Sequence, residues 1–237
     1  MLLRVASLAS LAAILAVAAG PLLAYAGLVS PMGGFVVFVL AVPTGLAGLV
    51  AAAWGLVKSG SNVDEGAKAR GWSALMVSVV SLVLVLGPAV AARDYPPIND
   101  ITTNTDDPPA FVHAGSLAAN AGRDLSYPGP SFAETQRAAY PDLDSVLLNM
   151  DPAKAQALLR QALAGLERTE ITAETVGRIE AVSRSLVFGF ADDVVVRIRP
   201  EGSGARVDLR SKSRDGRGDL GANAERIRSI LDSLGGA

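Results

Sequence analysis

The sequence predicts an α+β domain, with a mainly antiparallel sheet of four to six strands packed with two to three helices, preceded by three transmembrane α-helices. Three observations predict this class. Residues 5–29, 34–57 and 72–92 form three apolar runs that are almost free of charge. Four strand-like segments follow in succession with short links. Helical patterns stand before and after those strands, as in α+β proteins.

Each apolar run is long enough to cross a hydrocarbon core of about 30 Å as a helix. Backbone polar groups have no water partner there, so helix is the expected state. Residues 1–93 are therefore predicted to be a membrane anchor. The first run also resembles a cleaved signal peptide, with a basic start and the small residues Ala16-Val17-Ala18. Its apolar continuation to Val29 favours a retained helix.

The orientation of the anchor follows from basic residues in the short links. Arg4 precedes the first run, and the link between the second and third carries Lys58, Lys68 and Arg70. The positive-inside rule then places the N-terminus and this link in the cytoplasm, although Arg93 beyond the third run favours the opposite. Residues 94–237 are predicted to lie outside the cytoplasm. The runs carry no ionisable residue near their centres, which argues against transport by this chain alone.

The strand candidates are 169–176, 178–188, 192–200 and 205–214. Their short links, such as the turn Glu201-Gly202-Ser203-Gly204, favour antiparallel pairing. The last two candidates alternate with a period of two, which is typical of strands with one buried face. The predicted apolar face carries Val194, Val196, Ile198, Val207 and Leu209, continued by Ser211 and Ser213; the predicted polar face carries Arg197, Arg199, Arg206, Asp208, Arg210, Lys212 and Arg214.

Helices are predicted on both sides of these strands. Residues 131–140 form a short one, and Asp151-Pro152 supplies an N-cap and a first-turn proline for the next. Gly216 and Gly218 end the fourth strand, and Asp219 is placed to cap the closing helix. The apolar face of that closing helix is predicted to contain Leu220, Ile227, Ile230, Leu231 and Leu234.

The segment before the first of these helices is predicted to be irregular. Two proline pairs bracket a short edge strand near 98–103. Residues 113–131, rich in Gly, Ala, Ser and Pro, read as a surface excursion. Residues 94–151 are rich in acidic side chains, whereas the later strands carry arginines. We therefore expect the acidic loop that contains Asp106 and Asp107 to dock on those strands.

Several kinds of site have little support. Residues 94–237 carry a net negative charge, which argues against nucleic-acid binding. His113 is the only histidine and there is no cysteine, so a zinc site or a Ser–His pair is not expected. Asp100, Asp106 and Asp107 do not follow the EF-hand pattern, and the glycines near 216–221 fit no phosphate-binding fingerprint. We therefore predict no metal and no cofactor.

The remaining polar residues of interest cluster on the last two strands and the closing helix. An enzyme would use a carboxylate as a base and arginines to hold an anionic substrate. A non-catalytic alternative is a cross-strand ion-pair ladder on a wet sheet face, and a binding alternative presents the guanidinium groups to a carboxylate or phosphate. The candidate ligand-binding residues are Asp192, Asp193, Arg197, Arg210, Ser211, Ser213, Arg214, Asp219 and Asn223.

Two of these stretches resemble a known family. The run Arg-Ser-Lys-Ser-Arg at 210–214, with the residues that follow it, is similar to the closing signature of the domain of unknown function 1499 family. The run 189–194 resembles its Gly-Phe-x-Asp-Asp-Val element. The resemblance covers roughly residues 95–234. The chain departs from the family pattern in two ways: it lacks the cysteine-containing motif that many relatives carry near the start of the domain, and it has Asp215 and Arg217 where relatives often have an aliphatic and an aromatic residue. Further residues that carry the resemblance are Gly216, Asp219, Leu220, Gly221, Asn223, Arg226 and Ile227.

The resemblance implies a bacterial or plastid envelope-type protein with no established activity. Together with the predicted orientation, it indicates a multi-pass protein of the bacterial inner membrane with a periplasmic domain. The leading hypothesis is a non-catalytic binding or accessory module for an anionic or lipid ligand or a partner protein. The alternatives are a small envelope hydrolase that uses Asp192 or Asp193, and an accessory subunit of a larger membrane complex, packed through small residues such as Gly45 and Gly48.

Overall fold

A computed structural model describes residues 1–59 and 64–234. Two short stretches lie outside the described residues. They are 60–63, in the predicted cytoplasmic link, and 235–237, at the end of the predicted external domain. The chain divides into two compact units: the first is Met1–Arg93 together with Val187–Gly189, and the second is the rest of the described chain from Asp94 onward.

The first unit is helical. Its helices are α1 (Leu2–Tyr25), α2 (Pro31–Val39), α3 (Ala41–Ser59) and α4 (Glu65–Ala91). A turn at Leu40 separates α2 from α3, and Pro43, which has no N–H to offer the preceding turn, accounts for that interruption. In the described part of the chain, Leu2–Tyr25, Pro31–Ser59 and Glu65–Ala91 are long and apolar enough to cross a membrane.

These helices differ from the predicted runs mainly at their ends. α4 starts at Glu65 rather than at residue 72, because the Asp64 side chain accepts a hydrogen bond from the Ala67 N–H at 3.2 Å and caps its first turn. α1 ends at Tyr25 rather than at residue 29. Hydrophobicity predicts the apolar interior of a span, whereas its ends depend on caps.

Small residues make the contacts between the helices, as is usual where backbones approach closely in a membrane. A Cβ on Gly48 would lie 2.5 Å from the Ser78 hydroxyl and 3.0 Å from the Ser10 nitrogen. The small residues considered for docking on a larger complex, Gly45 and Gly48, are buried within this bundle, as are the nearby Ala41 and Ala52. They therefore hold the anchor itself together and are not available to a partner subunit.

The second unit is an antiparallel sheet with helices, so the predicted α+β class is confirmed. Its strand order is β1-β6-β5-β4-β3, and β2 also pairs with β6, which gives six strands among the described residues. The strands are β1 (Asp100–Thr102), β2 (Val146–Leu148), β3 (Thr169–Thr175), β4 (Arg178–Arg184), β5 (Ala191–Glu201) and β6 (Gly204–Ser213). The helices are α5 (Pro130–Ala139), α6 (Pro152–Gly165) and α7 (Ala222–Leu234).

The hydrophobic core lies between one face of the sheet and helices α6 and α7. The predicted apolar residues of the last two strands all point into it, so the period-two prediction is confirmed for that face. Leu220 is an exception, because it stands before α7 with a positive φ and is 58% exposed. The buried core contains Ile98, Ile101, Tyr140, Leu143, Ala155, Leu159, Leu163, Ile179, Ala181, Val194, Val196, Ile198, Ala205, Val207, Leu209, Ala224, Ile227, Ile230 and Leu234.

The opposite face of the sheet is also covered, by more of the chain than the acidic loop whose docking the sequence predicts. Val195 is 0% exposed there, and Asp208 and Arg210 are 0% and 2% exposed. The cover is the irregular segment 103–129, with two short 3-10 turns at Ala114–Ser116 and Ala118–Asn120. The predicted surface excursion at 113–131 is largely exposed, but Ala114 and Asn120 within it are buried against the sheet. We call residues 103–129 the covering segment.

Candidate functional site

The nine candidate residues do not form one site, because strand alternation divides them between the two faces of the sheet. Asp192 pairs with Ser213, and Asp193 with Lys212, in the register of β5 and β6. Asp192, Ser211 and Ser213 therefore lie on the helix side. The helix-side group is Asp192, Ser211, Ser213, Asp219 and Asn223; the covered-side group is Asp193, Arg197, Arg210 and Arg214.

The helix-side group is a closed hydrogen-bond network. The Ser211 hydroxyl donates to Asn223 Oδ1 at 2.6 Å, and Asn223 Nδ2 donates to the Ser213 hydroxyl oxygen at 2.9 Å. Arg226 donates to the Ser211 oxygen at 2.8 Å and to the Asp192 carboxylate at 2.7 Å. Since the Ser211 hydroxyl donates to an amide oxygen rather than to a base, the network fixes α7 on the sheet and does not activate a serine.

Asp219 caps the N-terminus of α7, as predicted. Its carboxylate accepts from the backbone N–H groups of Gly221 and Asn223, both at 2.9 Å. Burial raises the pKa of this carboxyl group, and the hydrogen bonds from Asn223 and Gly221 oppose that change without cancelling it. The hydrogen bonds that Asp219 accepts hold the start of α7.

Asp193 is buried on the covered side and is held by two partners. Arg214 approaches it with two donors, at 2.9 and 2.6 Å, and Asn120 donates to it at 2.9 Å. The hydrogen bond to Asp193, against the smaller effect of burial, raises the pKa of Arg214. A bidentate pair of this kind is among the strongest charge-assisted contacts.

Asp208 is the centre of a second charged group. Arg197 donates to its carboxylate at 3.0 and 2.8 Å, and Arg199 at 2.8 Å. Burial alone would raise the pKa of Asp208, but hydrogen bonds from Ser145, Arg197 and Asn104 outweigh it and the pKa falls below its usual value. Asp208 therefore stays ionised near neutral pH, and it is a weak proton acceptor because both of its oxygens already accept hydrogen bonds.

The acidic loop reaches this group, as expected, but through only one of the two residues named from the sequence. Asp107 lies 3.0 Å from Arg197 and 2.9 Å from Arg199. Asp106 instead lies 3.2 Å from Arg137 of α5. The expectation is confirmed for Asp107 and wrong for Asp106, because the chain turns between the two.

Arg210 is the most buried cation of the domain and joins the covering segment to the sheet. It binds the Asp100 carboxylate through two donors, at 2.8 and 2.7 Å. Its other donors reach the carbonyl oxygens of Pro109 and Leu125 at 3.0 and 2.9 Å. Lys212 also contacts Asp100, at 2.9 Å. One arginine thus ties β1 and two distant points of the covering segment to β6.

A cleft of about 420 Å³ opens beside Arg210. The guanidinium carbon lies 4.7 Å from the centre of the Phe111 ring and 5.5 Å from that of Tyr127, so it has cation–π contacts with both. Burial raises the pKa of Tyr127 to about 12, with a smaller contribution from Asp100. The lining residues are Pro108, Ala110, Phe111, Leu125, Ser126, Tyr127 and Arg210.

Sequence reasoning missed Glu180, which is 1% exposed on β4 beneath the covering segment. Its carboxylate accepts three backbone N–H bonds, from Val112 at 2.8 Å, His113 at 3.1 Å and Ala114 at 2.8 Å. Consecutive N–H groups at a turn form a natural anion site, and here the anion is part of the chain. An acidic residue in an otherwise apolar strand pattern was the available signal.

Comparisons with known proteins agree with the sequence motifs. The family model described as protein of unknown function (DUF1499) matches residues 100–234, more than half of the chain. The chain belongs to the DUF1499 family. The resemblance predicted from the residues is therefore confirmed, and the DUF1499 domain coincides with the sheet unit described above.

Two further comparisons add little. No curated protein matches the chain. One solved structure with partial similarity is the crystal structure of TTHA0849 from Thermus thermophilus, which is 17% identical, with 38% of this chain and 90% of that chain covered and a TM-score of 0.24. A likeness at that TM-score carries no argument about fold or function.

The motifs of the DUF1499 domain have structural tasks in this chain. The 210–214 run sends Arg210, Lys212 and Arg214 to the covered face, and Ser211 and Ser213 to the helix network. Asp215, one of the departures from the family pattern, lies 2.9 Å from Arg123 of the covering segment. The closing signature therefore holds the covering segment and α7 on opposite faces of β6.

Proposed function

We propose that this chain is a multi-pass protein of the bacterial inner membrane whose DUF1499 domain lies on the periplasmic side. Three helices of membrane-crossing length support the anchoring. The basic residues Arg4, Lys58, Lys68 and Arg70 lie at the ends that this orientation assigns to the cytoplasm. The domain begins at Asp94, only a few residues after α4 ends at Ala91, so a short stretch of chain joins it to the anchor.

We further propose that the external domain is a non-catalytic binding module. The observation that carries this proposal is the pairing of its buried carboxylates with cations. Asp192 is paired with Arg226, Asp193 with Arg214, and Asp208 with Arg197. A general base needs a carboxylate that can reach a substrate proton. A hydrolase that uses Asp192 or Asp193 would first have to break a buried ion pair, which generally costs about 3–5 kcal/mol.

The cleft beside Arg210 is the proposed binding site. Phe111, Leu125 and Pro108 offer apolar walls, and Arg210 lies at one side of the cleft with its charge paired to Asp100. This lining suits the apolar part of an amphiphile such as a lipid. The membrane anchor raises the effective concentration of such ligands.

The test is to fill the cleft without touching the ion pairs. Ala110→Trp places a large ring at the exposed lining residue Ala110, and Ala119→Trp places one elsewhere on the covering segment, outside the cleft. Full-length proteins are purified in mild detergent and their bound lipids quantified by mass spectrometry. We expect Ala110→Trp to lose the bound amphiphile several-fold while Ala119→Trp retains it. Equal retention in both variants would remove the cleft as the site.

A further inference from the structure

The membrane unit contains a groove of about 440 Å³ between α1 and α4. Both helices contribute small and hydroxyl-bearing residues to its walls. Because α2 and α3 return the chain between them, α1 and α4 run in the same direction through the bundle. The N-terminal ends of both helices therefore lie at the same end of the groove. The groove is lined by Ser7, Ser10, Leu11, Ile14, Ala69, Arg70, Ser73, Ala74 and Val77.

The lining changes in character along the groove. The end near the start of both helices carries Ser7, Arg70 and Ser73, and the other end carries Leu11, Ile14 and Val77. One end is thus cationic and hydroxyl-bearing, while the other is aliphatic. A molecule that complements both ends has a negative polar group joined to a hydrocarbon chain.

The cation at the polar end has no acidic partner among residues 1–59 and 64–234. Lys68 lies 3.3 Å from Glu65, whereas no carboxylate of the described chain lies within 4 Å of the Arg70 guanidinium group. The Ser73 hydroxyl also donates no hydrogen bond to the described protein atoms. Arg4 lies one helical turn before Ser7 and adds a second positive charge toward this end. Both charges lie at the ends of the spans, where basic residues attract anionic lipid headgroups.

We propose that this groove binds an anionic phospholipid. Its phosphate accepts hydrogen bonds from Arg70 and Ser73, and one acyl chain lies along Leu11, Ile14 and Val77. Basic pockets between transmembrane helices recognise anionic headgroups in this way. The site is separate from the cleft beside Arg210, and it depends on the helices being in the bilayer but not on which side the DUF1499 domain lies.

The test uses the full-length chain in a mild non-ionic detergent. Thermal unfolding is followed while phosphatidylglycerol or phosphatidylcholine is added. We expect phosphatidylglycerol to raise the unfolding temperature of the helices with saturation, and phosphatidylcholine to leave it unchanged at the same concentrations. Glycerol 1-phosphate and inorganic phosphate, which lack the acyl chain, should give no shift.

Two charge substitutions separate a specific site from general attraction. Arg70→Gln removes the groove cation. We expect the phosphatidylglycerol concentration at half-saturation to rise about five-fold, because each basic residue near a membrane surface contributes roughly 1 kcal/mol. Lys58→Gln removes a charge from the end of α3, where Lys58 lies over the Trp54 ring and outside the groove. Lys58→Gln should leave the phosphatidylglycerol concentration at half-saturation unchanged. Equal effects of the two substitutions, an equal shift with phosphatidylcholine, or a shift with glycerol 1-phosphate alone would each overturn the proposal.

Discussion

Arg210 shows how a single side chain carries much of the domain's architecture. Its charge is neutralised by Asp100, and its remaining donors are satisfied by two carbonyl groups of the covering segment. An unpaired carboxylate in the interior is expensive, so removing the arginine costs more than the pair itself contributes. Lys212 can compensate only in part, because an ammonium group cannot reproduce the bidentate fork.

We expect Arg210→Ala to lower the free energy of unfolding of the domain by about 3–5 kcal/mol. Amide hydrogen exchange should accelerate first at Ala110 and around Leu125, next to the carbonyl anchors that are lost. Arg137→Ala is the matched control, because the Arg137–Asp106 pair is exposed and should contribute less than about 1 kcal/mol. Similar losses in the two variants would show that the buried position of Arg210 has no special importance.

Asp208 links stability to pH. Its pKa is lowered in the folded state, so the stabilisation is fully present above the ordinary aspartate pKa, near 3.9, and is lost as the pH falls toward the folded value. We expect Asp208→Asn to be less stable than the wild type at pH 7 and to lose less stability on acidification below about pH 4. Denaturant unfolding at several pH values measures both.

The control for that experiment is Asp144→Asn, which removes an exposed carboxylate from the neighbouring loop. It should keep both the neutral-pH stability and the acid slope of the wild type. An acid slope of Asp208→Asn equal to that of the wild type would mean that Asp208 is not coupled to its arginines.

For buried charged residues such as Asp208 and Arg210, the sequence predicts which face of the sheet they occupy better than it predicts which residues they contact. Alternation identifies Asp208 and Arg210 as sharing one face, and the acidic bias before residue 110 indicates that Asp107 docks there. It does not indicate that the face is dry. That outcome depends on the covering segment, whose path is set by contacts such as Glu180 with three consecutive N–H groups, and these join residues far apart in the sequence.

At the scale of elements, the caps and turns are local and were therefore predictable. The two-residue turn at Gly202-Ser203 joins β5 and β6 as expected, with Gly202 at φ +58°. Asp151 accepts from the Ala153 N–H at 2.8 Å at the start of α6. In contrast, the three-residue β2 was missed, because so short a strand carries no periodic signal and exists only through its pairing with β6.

The cap on α7 gives a prediction at this scale. Asp219→Ala removes the acceptors for the Gly221 and Asn223 N–H groups and should lower the free energy of unfolding by about 1 kcal/mol. Asp232→Ala, which removes an exposed acid in the last turn of the same helix, should be neutral or slightly stabilising because an anion there opposes the helix dipole. Calorimetric unfolding of both variants makes the comparison, and an equal loss would contradict the capping role.

For the whole molecule, composition along the chain is the strongest predictor. The net positive, apolar stretch 1–93 and the net negative stretch 94–237 predict an anchor followed by a separate domain. The hydropathy of the spans fixes their number and approximate limits. How the helices pack was not predictable in detail. The small residues proposed for an outside partner, such as Gly48, are used between the helices of the anchor.

The orientation of the chain is tested most directly by paired topology reporters. Alkaline phosphatase and green fluorescent protein are fused in turn after Ala237 and, as a matched control, after Ser59 in a truncated chain. A periplasmic domain predicts active phosphatase and no fluorescence after Ala237, with the reverse after Ser59. Fluorescence without phosphatase activity after Ala237 would place the domain in the cytoplasm and contradict the proposed orientation.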